Sequence, residues 1–102
     1  MDKEQFIYKI MPTRPDMLSE GSTQEENEII SQHYNYLKDL TEAGIIVLAG
    51  RTLNTDASSF GIVIFYANSE SEATDLMMND PVVYNKVMTA SLFPFRTSLL
   101  GV

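Results

Sequence analysis

At 102 residues the chain has room for one domain, residues 1–102, with a modest core, and 44 % hydrophobic, 10 % aromatic and 21 % charged content excludes a disordered or fibrous chain. Fourteen acidic against seven basic residues give a formal charge of −7, and the basic side chains stand singly (Lys3, Lys9, Arg14, Lys38, Arg51, Lys86, Arg96), which argues against nucleic-acid and membrane partners. The absence of cysteine removes disulfides, thiolate nucleophiles and thiolate metal sites, and the lack of a leader-like or membrane-length apolar run points to a cytoplasmic protein.

The first apolar run, Phe6 to Met11, is rich in β-formers and stops at Pro12, where ladder hydrogen bonding fails. Thr13 to Gly21 has no periodicity, so it reads as a loop long enough to cover a pocket. Ser22-Thr23-Gln24-Glu25 has the spacing of a capping box, with the Ser22 hydroxyl and the Glu25 carboxylate each placed to satisfy a free backbone N–H. Glu25, Glu26 and Glu28 suit the positive end of the helix dipole, the helix runs to Ala43, and Gly44 supplies a left-handed stop.

Ile45 to Leu53 and Phe60 to Ala67 read as a second and a third strand, joined across the polar stretch Asn54 to Ser59. A second capping box, Ser69-Glu70-Ser71-Glu72, starts a helix through Met78, which Asn79-Asp80-Pro81 ends or redirects. Val82 to Met88 is a short helical turn, and Thr89 to Leu100 is the last strand, in which Phe93-Pro94-Phe95 suits a sheet edge. The order β-α-β-β-α-β predicts an α+β, ferredoxin-like fold with a four-stranded antiparallel sheet. In the third strand Phe60, Ile62, Ile64 and Tyr66 alternate with Gly61, Val63, Phe65 and Ala67, so both faces are apolar. Two helices cover one face, and the other predicts a homodimer whose sheets pack face to face.

The one histidine, His33, falls on the apolar stripe Ile30, His33, Leu37, Leu40 of the first helix. An imidazole there is either a core side chain satisfied by a backbone carbonyl or a tyrosine hydroxyl, or a proton-transfer group beside a cavity. A general acid or base needs an orienting carboxylate, and Asp80 is the best placed, although an aspartate there also ends helices in Asx turns. Tyr34, Tyr36 and Tyr84 either line a pocket or fill the core. With one histidine and no cysteine no metal site is expected, and no P-loop, G-x-G-x-x-G or G-x-S-x-G occurs, so no cofactor is expected either.

The spaced set His33-Tyr34-Asn35-Tyr36-Leu37, Leu40, Gly44, Ala49-Gly50, the Gly61 strand, Ser69 to Ala73, Asp80-Pro81 and Phe93 to Arg96 resembles the YciI-like, YCII-related family of the dimeric α+β barrel superfamily. The resemblance covers nearly the whole chain. It implies a ferredoxin-like fold, a homodimer through the sheets, and a catalytic dyad at the matching His33 and Asp80. The family includes a dehydrochlorinase of a chlorinated hydroxyquinol and is related by fold to muconolactone isomerases, which implies lyase- or isomerase-like proton abstraction on a small cyclic organic acid or phenol. Arg14, in the loop just before the helix that bears the histidine, is either a solvated loop charge or, as the same resemblance implies, the anchor of an anionic substrate. Tyr8, Gly50 and Arg51 are further substrate-binding candidates; Gly50 either admits a ligand close to the backbone or marks a bulge, and Arg51 stands where the family usually has proline. A non-catalytic ligand-binding module and a structural dimerisation domain are the alternatives.

Overall fold

In a computed structural model of the chain, residues 3–101 are described. Four strands, β1 (Glu4–Pro12), β2 (Ile46–Arg51), β3 (Gly61–Ala67) and β4 (Met88–Phe95), form one antiparallel sheet in the order β2-β3-β1-β4. That order, with helical segments between β1 and β2 and between β3 and β4, is the ferredoxin-like α+β arrangement that the alternating signals predict. Period-two burial runs along both central strands: Phe6, Tyr8 and Ile10 of β1 and Val63, Phe65 and Ala67 of β3 are buried on one face. The Phe65 ring tilts against Phe6 and meets Tyr8 edge-on, with centroids 6.1 and 5.7 Å apart.

Pro94 lies opposite Phe6 on the edge strand β4, where a missing N–H costs the sheet nothing. The strand is shorter than the predicted Thr89 to Leu100 and ends at Phe95. Beyond it the Gln5 amide oxygen accepts from the Thr97 backbone N–H and hydroxyl, both at 2.9 Å, so a side chain replaces the ladder. β2 is likewise shorter than predicted, and its register shifts between Ile46 and Leu48.

The helices cover only the face of Tyr8 and Phe65. The loop after β1 contains one helical turn, α1 (Asp16–Ser19), too short to produce periodicity; it tucks Met17 into a buried position. The long helix α2 (Gln24–Glu42) starts one residue later than the predicted box. Thr23 caps it, its hydroxyl accepting from Glu26 N–H at 3.1 Å while the Glu26 carboxylate accepts from Thr23 N–H at 2.8 Å. Ser22 and Glu25 have the same spacing, but Glu26 is the acid that Arg14 also reaches, and that contact favours the observed register. Gly44, with φ +78°, provides the predicted left-handed stop.

α3 (Glu70–Met78) is capped by Ser69, but the Glu72 carboxylate turns back to the Asn68 N–H and side-chain amide rather than to Ser69, so the second box closes on its capping half only. The predicted helical turn at Val82 to Met88 is α4 (Pro81–Tyr84), four residues long, with Asp80 as its cap and proline at its first position. On the helix-free face of the sheet, Ile7, Ile62, Ile64 and Tyr66 are half-buried, and Leu48 and Phe93 are exposed. No helix among the described residues is long and apolar enough to cross a membrane.

Candidate functional site

Two turns of chain bring the site together. Asp80 closes the junction between α3 and α4, where its Oδ1 accepts from the Val82 N–H at 3.1 Å in the manner of an N-cap. The same oxygen lies 2.7 Å from His33 Nδ1, on α2 and 47 residues away in sequence, and Oδ2 accepts from the Tyr8 hydroxyl of β1 at 2.7 Å. The carboxylate is fully buried, so three donors from three elements replace the water it has lost.

A carboxylate only accepts, which assigns the proton of the neutral imidazole to Nδ1 and leaves the lone pair on Nε2. The His33 side chain is 16 % exposed and lines a cavity, whereas Asp80 is 0 % exposed and does not. Burial first, then the charge of Asp80, pushes the Tyr8 hydroxyl far above the ordinary phenol range, so Tyr8 remains a donor. Tyr36, which donates to the Leu76 carbonyl at 2.7 Å, is pushed up to about 12, again by burial and then by Asp80.

The cavity, of about 840 Å³, lies between α2, the β2–β3 end of the sheet and the loop that carries α1, within the range of roughly 300–1,000 Å³ usual for ligand sites. Ile30 and Leu37 of α2 and Val63 of β3 give it apolar walls, and Met17 and Leu18 of α1 bring the predicted covering loop to it. Of the residues singled out in the sequence, His33, Gly50, Arg51 and Tyr34 line it. Lys38 and Ser59 line it as well and carried no sequence signal: one looks like a solvated helix charge, the other like a loop serine.

Tyr8 and Arg14 stand elsewhere. Tyr8 sits behind Asp80, on the side away from the cavity wall that His33 forms. Arg14 is engaged by Glu26, its Nη2 donating at 2.6 Å and its Nε at 3.1 Å, and it also donates to the Gly21 carbonyl at 3.2 Å. Its guanidinium thus ties the covering loop to the start of α2, and it holds the Glu26 carboxyl at about 2, well below the usual carboxylate range. Tyr84 is exposed outside the cavity. Among the described residues no group of three or more His, Cys, Asp or Glu could hold a metal ion.

A family model described as the YCII-related domain matches residues 6–96 of the chain. No curated protein sequence matches it. Among solved structures, the chain is similar to the 5-chloro-2-hydroxyhydroquinone dehydrochlorinase of Burkholderia phenoliruptrix AC1100, solved in complex with 2,5-dihydroxybenzoquinone. The TM-score is 0.65 at 20 % sequence identity, over 89 % of this chain and 93 % of that one, a likeness of fold.

Proposed function

Because the chain belongs to the YCII-related domain family and sets its one histidine against a buried carboxylate at a cavity wall, we propose that it is a small proton-transfer enzyme with lyase- or isomerase-like chemistry. Its substrate is a small cyclic organic acid or phenol. The observation that carries this reading is the 2.7 Å contact between His33 Nδ1 and Asp80 Oδ1, which leaves Nε2 of a cavity-lining ring as the proton acceptor. The fold is shared with a dehydrochlorinase, an enzyme that removes hydrogen chloride from its substrate, which supports the reading.

In the proposed step, Nε2 takes a proton from a carbon or hydroxyl of the bound molecule, and Asp80 stabilises the imidazolium that results. The electrons of the broken bond then form a double bond, either expelling a leaving group with its pair or waiting for the proton to return at another carbon. Tyr8 keeps the carboxylate in place, Gly50 and Arg51 are the substrate-binding residues on the cavity, and Arg14 acts by holding the covering loop. A thermal-shift screen of phenolic and carboxylate metabolites against wild type and His33→Ala tests the reading. Hits confined to wild type, followed by turnover that His33→Ala loses with its fold intact, support it; a compound set that stabilises neither protein, or turnover that survives in His33→Ala, refutes it.

The assembly belongs to the same proposal. The exposed Leu48 and Phe93 and the half-buried isoleucines between them make the helix-free sheet face the surface through which two copies pair, in the cytoplasm, where a chain needs no disulfides. Sedimentation that gives a stable monomer at micromolar concentration removes the dimer.

A further inference from the structure

We propose that the cavity selects an organic anion, a small acid with one carboxylate on a largely apolar body, and that Arg51 is the residue that selects it; the assignment rests on the cavity being the reactive site proposed above. Arg51 lies opposite Gly61 in the β2–β3 ladder, and residues directly opposite in an antiparallel pair share a sheet face. That face is the one on which Val63 and Phe65 are buried under the helices, so a guanidinium stands at the edge of the core-facing side of the sheet.

Arg51 is exposed, and among the described residues it makes no ion pair and no side-chain hydrogen bond, in contrast to Arg14, which Glu26 occupies, so its guanidinium is free to meet an anion that enters the cavity. Lys38, on the α2 wall of the same cavity, is equally unpaired, and Glu42 is the one acid on the lining. In a chain of net charge −7, two cations against one acid give this cavity lining a net positive charge.

The shape suits a planar acid. Ile10 packs over Gly61 beside Arg51, and Ile30, Leu37 and Val63 supply further apolar surface for a ring. A guanidinium fork matches a carboxylate through two parallel hydrogen bonds, and Lys38 adds a single point charge.

Binding of benzoate and of its neutral isostere benzamide to the full chain, measured by NMR titration in wild type, Arg51→Gln, Lys38→Gln and Arg96→Gln, tests the proposal. Arg96 follows the end of β4 that pairs with Gln5, at the opposite end of the sheet from Gly61, so its removal changes net charge without touching the cavity. Benzoate is expected to bind wild type about tenfold more tightly than benzamide, and Arg51→Gln to abolish that preference while leaving benzamide unchanged. Lys38→Gln lowers benzoate affinity to a smaller extent, and Arg96→Gln has no effect. Equal binding of the two compounds, no binding of either, or a preference that survives in Arg51→Gln overturns the proposal. Arg51-dependent benzoate binding with no turnover of any acid would remove the proton-transfer reading and leave this one standing. His33-dependent turnover of neutral compounds, unaltered in Arg51→Gln, would do the reverse.

Discussion

The Tyr8 hydroxyl donates to Asp80 Oδ2 at 2.7 Å, on the far side of the carboxylate from His33, and both side chains are 0 % exposed. Tyr8→Phe deletes that donor and leaves one carboxylate oxygen buried without a partner, a loss of about 1.5–3 kcal/mol for a hydrogen bond to a charged group. Denaturant midpoints of the two proteins measure it. The same pair sets the alkaline limit. The folded-state value of Tyr8 is raised above that of a free phenol, about 10, so its contribution to stability is complete below that pH and falls as pH rises beyond it. Wild type therefore loses stability above about pH 10, and in Tyr8→Phe this decline is shallower.

Asp80 does more for His33 than hold it by charge, because a pure acceptor at Oδ1 dictates which ring nitrogen carries the proton. Asp80→Asn retains the size, and because the Oδ1 position also accepts from the Val82 N–H, the amide oxygen stays there and the amide NH2 turns to the Tyr8 oxygen, so Nδ1 keeps the proton of the neutral ring while the negative charge is lost. Nitrogen-15 NMR of this single histidine reads the tautomer directly: an unprotonated Nε2 is expected in both proteins. Turnover, once a substrate is in hand, drops on the order of 10²–10⁴-fold, the range of general acid–base catalysis, because the imidazolium no longer faces a carboxylate.

Much of this site could be read before the structure, for a physical reason. Local signals in the chain, the apolar β-rich runs of β1 and β3, the stop at Gly44 and the proline of the edge strand, depend on near neighbours, and they hold. His33 was legible as an ionisable ring on an apolar stripe, and Asp80 as its partner through the family pattern. What sequence could not supply was direction. Tyr8 sits on a strand whose sequence does not say what its hydroxyl meets, and only the packed helices bring it to the second oxygen of the Asp80 carboxylate. Arg14 had two acids at the start of α2 to choose from, and its choice of Glu26 moved the cap by one residue. Arg51 showed neither its face nor its freedom until the β2–β3 register placed it opposite Gly61.

Glu26 carries two tasks, closing the capping box of α2 and holding Arg14, and its pH dependence follows from both. Its folded value of about 2, against an ordinary 4.5, means that the stabilisation is complete above about pH 4.5 and is lost as pH falls toward 2. The cause is first the Arg14 hydrogen bonds and then the Thr23 N–H. Wild type therefore stays the more stable protein until the pair is lost near pH 2, and acid unfolding followed by circular dichroism should begin at higher pH in a chain without this pair. Glu26→Gln should be less stable at neutral pH and show a flatter decline between pH 4.5 and 2.

Lys86 is the one non-glycine among the described residues with positive φ, at 60°, in the turn where α4 passes into β4. The turn is fixed by neighbours rather than by the lysine side chain: the Thr13 hydroxyl donates to the Lys86 carbonyl at 2.8 Å, and Thr13 N–H donates to the Val87 carbonyl at 2.9 Å. A left-handed conformation costs a side-chain-bearing residue roughly 1–2 kcal/mol, and glycine escapes this at the expense of greater freedom when unfolded. Lys86→Gly should raise stability by about 0.5–1 kcal/mol, measured as a higher melting temperature, with the His33 ring signals unmoved.

Two glycines of the cavity wall separate what the fold needs from what a ligand needs. A Cβ on Gly61 would lie 3.1 Å from Ile10 Cγ1 and 3.3 Å from the Gly50 carbonyl oxygen, so in Gly61→Ala the Ile10 side chain and the β2 backbone must each give by a few tenths of an ångström, which should cost stability. A Cβ on Gly50 would meet nothing within 4 Å, and its φ is not positive, so nothing in the free protein demands glycine there. Gly50→Ala should melt at or slightly above the wild-type temperature, since alanine restricts the unfolded chain more than glycine does. Gly50 pairs with Ile62 and so shares its helix-free face, which turns an added methyl away from α2 and His33, and affinity for the compounds found in the thermal-shift screen should stay at the wild-type level. A fall in affinity in Gly50→Ala would place the ligand against β2 on the helix-free side.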